Sequence, residues 1–150
     1  IKDQKFIPIT DERMTRFMMP LDNGVELVWK AFDDMQGGEI YVKKIPSIKI
    51  TDIARVIAPK SKFEIIGIRP GEKLHEQMIS IEDSLYTYEY TDYFKILPQI
   101  NNWDKDKKRI KDGFRVDEGF TYSSDNNSEW MTKSELKTWL DNNRDSIGII

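Results

Sequence analysis

Between residues 21 and 35 the chain carries an apolar stripe at helical spacing, and that stripe limits what the chain can fold into. Leu21, Val25, Val28, Phe32 and Met35 fall at steps of three and four, with Glu26, Lys30 and Asp33 on the other side. This is the pattern of a helix with one apolar face, and such a face needs a surface to lie on. Gly37-Gly38 follows; glycine takes the left-handed conformation that stops a helix at little steric cost. Glu39-Ile40-Tyr41-Val42 then reads as a strand.

The rest of the chain alternates in the same way. Phe6-Ile7-Pro8-Ile9-Thr10 reads as a strand or extended entry segment. Thr51 is placed to cap a short helix through Ile53, Ala54, Val56 and Ile57, which Pro59 ends by disfavouring helical geometry at Ala58. Phe63 to Ile68 is a strand rich in branched residues, Arg69-Pro70-Gly71 turns the chain, and Glu72 to Met78 is expected to make a helical turn or more. Tyr86 to Leu97 alternates aromatic and polar residues and reads as β-structure, and the charged stretch Asn101 to Gly119 as a surface loop. Thr132-Lys133-Ser134-Glu135 fits a capping box ahead of Leu136, Trp139 and Leu140. Strands and helices alternate without a complete βαβ series and without repeats, so the fold class is α/β, a lobe that packs on something else.

Composition excludes several function classes. The 150 residues suit one domain or one large lobe. With 23 Lys plus Arg against 26 Asp plus Glu, the net charge of -3 gives no global attraction to nucleic acid or an acidic membrane. No apolar run approaches the roughly 18 residues of a membrane-spanning helix. Cysteine is absent and His75 is the one histidine, which argues against thiolate chemistry and a histidine metal site. The cytoplasm is the default compartment. The opening Ile1-Lys2-Asp3-Gln4-Lys5 reads like the middle of a chain.

No Gly-x-Gly-x-x-Gly follows a strand, and no tyrosine has a lysine four positions on. The chain therefore has no self-contained catalytic constellation. Three segments are candidates for binding. Thr10-Asp11-Glu12-Arg13-Met14-Thr15-Arg16-Phe17 combines two arginines with hydroxyls and an acid. An arginine fork suits diphosphate oxygens, although a salt-bridged loop has the same composition. In Arg69-Pro70-Gly71-Glu72-Lys73, proline keeps Arg69 extended at the end of a strand, where α/β sheets hold ligands. Arg69 suits a phosphate there and Glu72 suits ribose hydroxyls; an ordinary β-turn is the alternative. Tyr122-Ser123-Ser124-Asp125-Asn126-Asn127 is dense in short hydrogen-bonding side chains, and a polar turn ahead of a helix reads the same way. His75 reads as structural or solvent-exposed, Lys105 to Arg109 as solvated loop, and Trp29, Trp103, Trp130 and Trp139 as packing residues.

Taken in order, the segments Pro8 to Phe17, Gly37 to Ala54, Ile66 to Glu76 and Tyr122 to Asn127 resemble the inverting UDP-N-acetylglucosamine 4,6-dehydratases. These are extended short-chain dehydrogenase/reductase enzymes of bacterial pseudaminic acid synthesis. The resemblance implies that this is the carboxy-terminal, substrate-binding lobe, with the NADP-binding Rossmann half absent from the chain. In that family NADP takes a hydride from sugar C4, water leaves across C5–C6, and the hydride returns to C6 with inversion at C5. The product is UDP-2-acetamido-2,6-dideoxy-beta-L-arabino-hex-4-ulose. The family's catalytic Thr-Asp-Lys and Tyr-x-x-x-Lys residues fall upstream of anything present here, so the resemblance implies no catalytic residue and no metal ligand in this chain. By motif match Arg69 contacts the diphosphate of UDP-N-acetylglucosamine, and Thr10, Ser124, Asp125, Asn126 and Asn127 touch the UDP-sugar. Glu72 on the uridine ribose follows related epimerases. A cytoplasmic homo-oligomer is implied for the full-length enzyme. Two alternatives remain: a non-catalytic sugar-nucleotide-binding relative, and a related UDP-sugar epimerase.

This chain by itself is expected to be inactive. Incubated with UDP-N-acetylglucosamine and NADP, it should give no 4-keto sugar by NMR; turnover above background would place catalytic groups where none is read.

Overall fold

The computed structural model describes residues 5–100 and 102–143. Ile1 to Gln4, most of the opening that reads as mid-chain, and Asn101 lie outside the described residues. The chain divides into two compact units. One takes in the described residues of Ile1–Met18, Pro46–Glu76 and Asn127–Ile150, the other Met19–Ile45 and Gln77–Asn126.

In the first unit, β1 (Phe6–Ile9) pairs in parallel with β5 (Lys62–Ile65), Phe6 opposite Lys62 and Ile9 opposite Ile65. A second pair is antiparallel, β2 (Thr15–Phe17) with β4 (Ser47–Lys49). Helix α2 (Ile50–Ile57) packs on β4 and on α5 (Lys133–Asn142), and Lys133 Nζ meets Asp52 at 3.0 Å. Ile9, Met14, Ile48, Ala54, Ala58 and Leu136 are its buried apolar residues. The capping box forms as expected: Thr132 Oγ1 accepts from Glu135 N, and the Glu135 carboxylate accepts from Thr132 N at 2.7 Å. Thr51 does not cap α2. The helix begins one residue earlier, with Lys49 at the cap position and no side-chain cap. The Ile50 amide donates instead to Met14 O at 3.0 Å, so the chain preceding β2 supplies the acceptor.

The expected helical turn over Glu72 to Met78 does not form. Residues 73–76 are irregular, and β6 (Gln77–Ile79) follows. The carbonyls of Lys73 and Leu74, which a helix would use, accept from the Arg16 guanidinium and, for Leu74, from Thr15 N as well.

The second unit is built on a four-stranded antiparallel sheet. It runs β3 (Ile40–Lys43), β8 (Tyr93–Ile96), β7 (Thr87–Glu89), β9 (Phe114–Arg115). β6 pairs with β10 (Tyr122–Ser123) beside it and leads into the short helix α3 (Ile81–Ser84). Every residue of β8 is buried. Tyr88, Tyr90, Tyr93 and Leu97 form the core, closed by Leu27, Tyr41 and Ile110. Tyr90 and Tyr93 stack at 4.5 Å, and Phe94 lies against Phe120 and Tyr122. Lys95 is only 1% exposed, its ammonium 5.0 Å from the Tyr90 ring centre. A buried cation needs a partner, and Asp34 is that partner at 2.6 Å. Tyr41 Oη also donates to Asp34, and Lys111 pairs with it.

Helix α1 (Leu21–Asp34) contributes Asp34 and Leu27 to this arrangement, and none of its residues is fully buried. The stripe that reads as its apolar face is exposed along its length: Leu21, Val25, Val28, Phe32 and Met35 all carry large accessible areas. Trp29, expected to be a packing residue, is 66% exposed on the same helix. The helix ends at Asp34, before the glycines. Gly37 and Gly38 have positive φ in the turn into β3 rather than at the helix terminus.

The stretch Asn101 to Gly119 is not a plain surface loop. Among its described residues it holds a 3-10 turn at Trp103–Lys105, helix α4 (Lys107–Ile110) and β9. Arg109, expected to be solvated, is 6% exposed. Its guanidinium pairs with Glu39, donates to Gly37 O at 2.9 Å and stacks on Trp103. Burying this cation against the turn before β3 organises the segment.

Two outcomes follow from this architecture. Burial pushes the Asp34 carboxyl up, but hydrogen bonds from Lys111, Lys95 and Tyr41 outweigh it and hold the group at about 2. An unfolded aspartate titrates near 3.9, so the folded value is depressed, and the stabilisation, about 2 kcal/mol, is present above about pH 4 and lost as pH falls towards 2. Denaturant melts between pH 5 and 2 should show wild type losing about that much more stability than Asp34→Asn; equal losses would remove Asp34 from the account. The exposed stripe on α1 should make the isolated chain self-associate. Sedimentation velocity should show mass rising with concentration, reversed in Val28→Glu/Phe32→Glu; a concentration-independent monomer in wild type would refute this.

Candidate functional site

In the first unit the chain leaves β5 at Ile65 and stays exposed through Ile66, Gly67, Ile68, Arg69 and Pro70. It then reverses in a tight turn, Glu72 N donating to Arg69 O at 3.0 Å, with Gly71 at φ 81. Proline at the second position and a positive-φ glycine at the third define a type II turn, and a side chain at position 71 would strain it. The turn's fourth residue folds back on its first: Glu72 Oε2 accepts from Arg69 N at 3.2 Å. Glu72 Oε1 accepts from Thr10 Oγ1 at 3.3 Å. Thr10 is in reach because Ile66 N donates to Ile9 O at 3.0 Å, which extends the parallel pair by one bond. Three of the expected site residues, Thr10, Arg69 and Glu72, are thereby brought together. A carboxylate offers about four lone-pair sites, of which Glu72 uses two here, so it retains capacity for hydroxyl donors. Among the described residues no side chain or carbonyl pairs with the Arg69 guanidinium, which stands exposed at the end of β5.

The other two arginines of the candidate segments are committed. Arg13 grips Asp11 in a fork, Nε to Oδ1 at 3.0 Å and Nη2 to Oδ2 at 2.7 Å. That contact, with the Arg13 backbone amide, holds the Asp11 carboxyl at about 2. Arg16 donates through Nη1 to the carbonyls of Thr15 and Leu74, at 2.7 and 3.1 Å. Its Nη2 reaches Lys73 O at 2.9 Å and Met14 Sδ at 3.8 Å, and Nε faces Glu76 at 3.4 Å. The salt-bridged alternative therefore describes Arg13, whose Nε and Nη2 are held by Asp11, while Arg16 spends its Nη groups on carbonyls and a thioether. His75 is structural: its Nδ1 shares a 2.8 Å hydrogen bond with Thr15 Oγ1.

The Ser124 to Asn127 segment is a hydrogen-bonded turn. Ser123 N donates to Asn126 Oδ1 at 3.0 Å, Asn126 Nδ2 to Thr121 Oγ1 at 2.7 Å, and Ser123 Oγ to the Asp125 carboxylate. Ser124 is fully buried, while Asp125 and Asn126 are exposed. Asn127 belongs to the first unit, where its Nδ2 donates to Ser47 Oγ and Glu129 O and its Oδ1 accepts from Glu129 N. Among the described residues no group of His, Cys, Asp and Glu is arranged to hold a metal ion, and no helix is long and apolar enough to cross a membrane. For Arg16 the sequence offered a diphosphate fork or a salt-bridged loop, and its Nη groups go mainly to backbone carbonyls instead. A guanidinium aimed at backbone carbonyls leaves no pattern in sequence, because its acceptors carry no residue identity.

Comparison with known proteins bears on this geometry. The model of a family described as polysaccharide biosynthesis protein matches residues 1–98. A UDP-N-acetylglucosamine 4,6-dehydratase (inverting) of Campylobacter jejuni is 51% identical over 137 residues, 88% of this chain and 41% of that protein. A UDP-glucose 4-epimerase of Rickettsia canadensis is 38% identical over 100 residues, 64% of this chain and 29% of that protein. The X-ray structure of Pen from Bacillus thuringiensis superposes with a TM-score of 0.75 at 30% identity, over 95% of this chain and 42% of that one. The chain thus spans about two-fifths of the length of the dehydratase it matches. The α/β fold class of an extended short-chain dehydrogenase/reductase lobe is the one found.

Proposed function

This chain belongs to the polysaccharide biosynthesis protein family, and we propose that it supplies the sugar-nucleotide grip of an inverting UDP-N-acetylglucosamine 4,6-dehydratase, a cytoplasmic hydro-lyase. The similarity to the Campylobacter jejuni enzyme supports the reaction and the substrate. The observation that carries the reading is the Arg69 guanidinium, unpaired among the described residues at the carboxyl end of β5, beside a Glu72 carboxylate already oriented by Thr10 and by the turn. Arg69 takes the diphosphate of the UDP-sugar, and Glu72 accepts from the uridine ribose. Thr10 orients Glu72 and touches the UDP-sugar from the end of β1. The resemblance gives Asp125, Asn126 and Asn127 contacts with the UDP-sugar too. The resemblance also gives Ser124 such a contact, and it is buried in the same segment.

Among the described residues nothing fits a nicotinamide dinucleotide. β1 runs on to β2, and β5 through the type II turn to β6, so neither parallel strand leads through a glycine loop into a helix N-terminus. On this proposal NADP, when bound, supplies the hydride chemistry from a Rossmann domain elsewhere in the longer protein. The same domain covers the exposed face of α1, and the longer protein is a homo-oligomer. A UDP-sugar epimerase is the second reading, favoured by the identity to the Rickettsia canadensis enzyme; NMR of the product, 4-keto-6-deoxy sugar or C4 epimer, separates the two.

Charge-assisted hydrogen bonds to a diphosphate are worth about 1.5–3 kcal/mol each. In the full-length protein Arg69→Ala should therefore weaken UDP binding about ten- to a hundredfold by calorimetric titration. Arg69→Lys should recover only part, since an ammonium cannot make the bidentate contact. The diphosphate is remote from C4 to C6, so the loss should fall mainly on KM. Equal UDP affinity in wild type and Arg69→Ala would leave only the turn.

A further inference from the structure

We propose that Arg16 is the positioning residue of this grip: it holds the backbone just beyond the Arg69–Glu72 turn, and so acts on the nucleotide through Arg69 and Glu72 without touching it. The inference rests on the reading above.

The turn is held at one end only by the β1–β5 pair. At its other end the chain enters neither helix nor strand until Gln77. Through that interval the carbonyls need donor partners, and Arg16 supplies them. One planar cation reaches Lys73 O at 2.9 Å, Leu74 O at 3.1 Å and its own strand's Thr15 O at 2.7 Å, with Nε towards Glu76. Thr15 N adds a bond to Leu74 O at 3.2 Å. Nη2 also reaches Met14 Sδ at 3.8 Å, so the four N–H groups of the two Nη nitrogens all have acceptors within the protein. With Nε facing Glu76 and the side chain only 23% exposed, Arg16 presents no Nη donor to a phosphate. It ties residues 73–76 to β2 before any ligand arrives. A segment ordered in advance spares the ligand that ordering entropy, which is how a residue without contact strengthens binding. Lysine at this position would keep the charge but could not span the two successive carbonyls and its own strand at once.

The test uses the full-length protein and UDP as the probe, with calorimetric titration and thermal melting of wild type, Arg16→Met, Arg16→Lys, Arg69→Ala and the double variant Arg16→Met/Arg69→Ala. Arg16→Met should weaken UDP about tenfold and Arg16→Lys about threefold. The double variant should be weaker than Arg69→Ala by no more than about threefold, because residues acting through one another are not additive. A lowered melting temperature with unchanged UDP affinity would mark Arg16 as merely structural and overturn the proposal. Full multiplication of the two effects would overturn it as well, by placing Arg16 on an independent contact. If Arg16→Met does not fold, Arg16→Lys, alone and combined with Arg69→Ala, is read against the same criteria. Unchanged UDP affinity in Arg69→Ala is a different result: it overturns the diphosphate assignment itself, and this inference with it.

Discussion

Parallel pairing of Phe6–Ile9 with Lys62–Ile65 is the constraint on which the candidate site depends. Parallel strands cannot be joined by a hairpin, so the intervening chain must travel away and return. Here it does so through the second unit and then α2. The register sets Ile9 opposite Ile65, and the next residue on one side is Thr10. The exposed run that ends in the type II turn begins on the other. Two groups 62 positions apart in sequence therefore share a hydrogen bond, and the oriented carboxylate of Glu72 is a product of strand register as much as of its own turn.

The two units use charge in opposite ways. In the second, the buried Lys95 pairs with Asp34, which also takes Tyr41 Oη and the exposed Lys111, and the buried Arg109 pairs with Glu39 and a carbonyl. Such groups are tolerated inside because each has partners, and removing one strands the others. In the first unit Arg13 and Arg16 are spent on a carboxylate and on carbonyls, and Arg69 is left open. That difference, more than the presence of arginine, separates a scaffold cation from a ligand-binding one.

Much of this was legible in the sequence, for identifiable reasons. The α1 stripe, the aromatic alternation around β7 and β8 and the Thr132–Glu135 box are local patterns, and local patterns survive folding. The proline and glycine of the turn announce its geometry before any coordinates. What escaped was set by distant partners. Thr51 lost its capping role because Met14 O offered an acceptor one residue earlier. The helical turn after Glu72 failed because Arg16 took its carbonyls. Arg109 looked solvated because Glu39 lies far away in sequence. For the site, residue types pointed to Arg69 and Glu72 and the resemblance to Thr10, but only the fold separates Arg69 from the arginines already held by Asp11 and by carbonyls.

The chain passes from one unit to the other after Met18, Ile45, Glu76 and Asn126, so neither unit is a continuous segment. Each is assembled across excursions that belong to the other. Closing a loop costs entropy that grows by about 0.6 kcal/mol per doubling of its length, and a folded excursion is effectively a shorter loop than an unfolded one. Folding of either unit therefore lowers the closure cost for the other, and no single cut of the chain isolates one of them. The pathology of substitutions follows from this threading. A lesion in the tyrosine core of the second unit need not approach Arg69 to impair it, since slower closure of the excursion leaves the β1–β5 register late to form and the half-folded chain open to proteolysis.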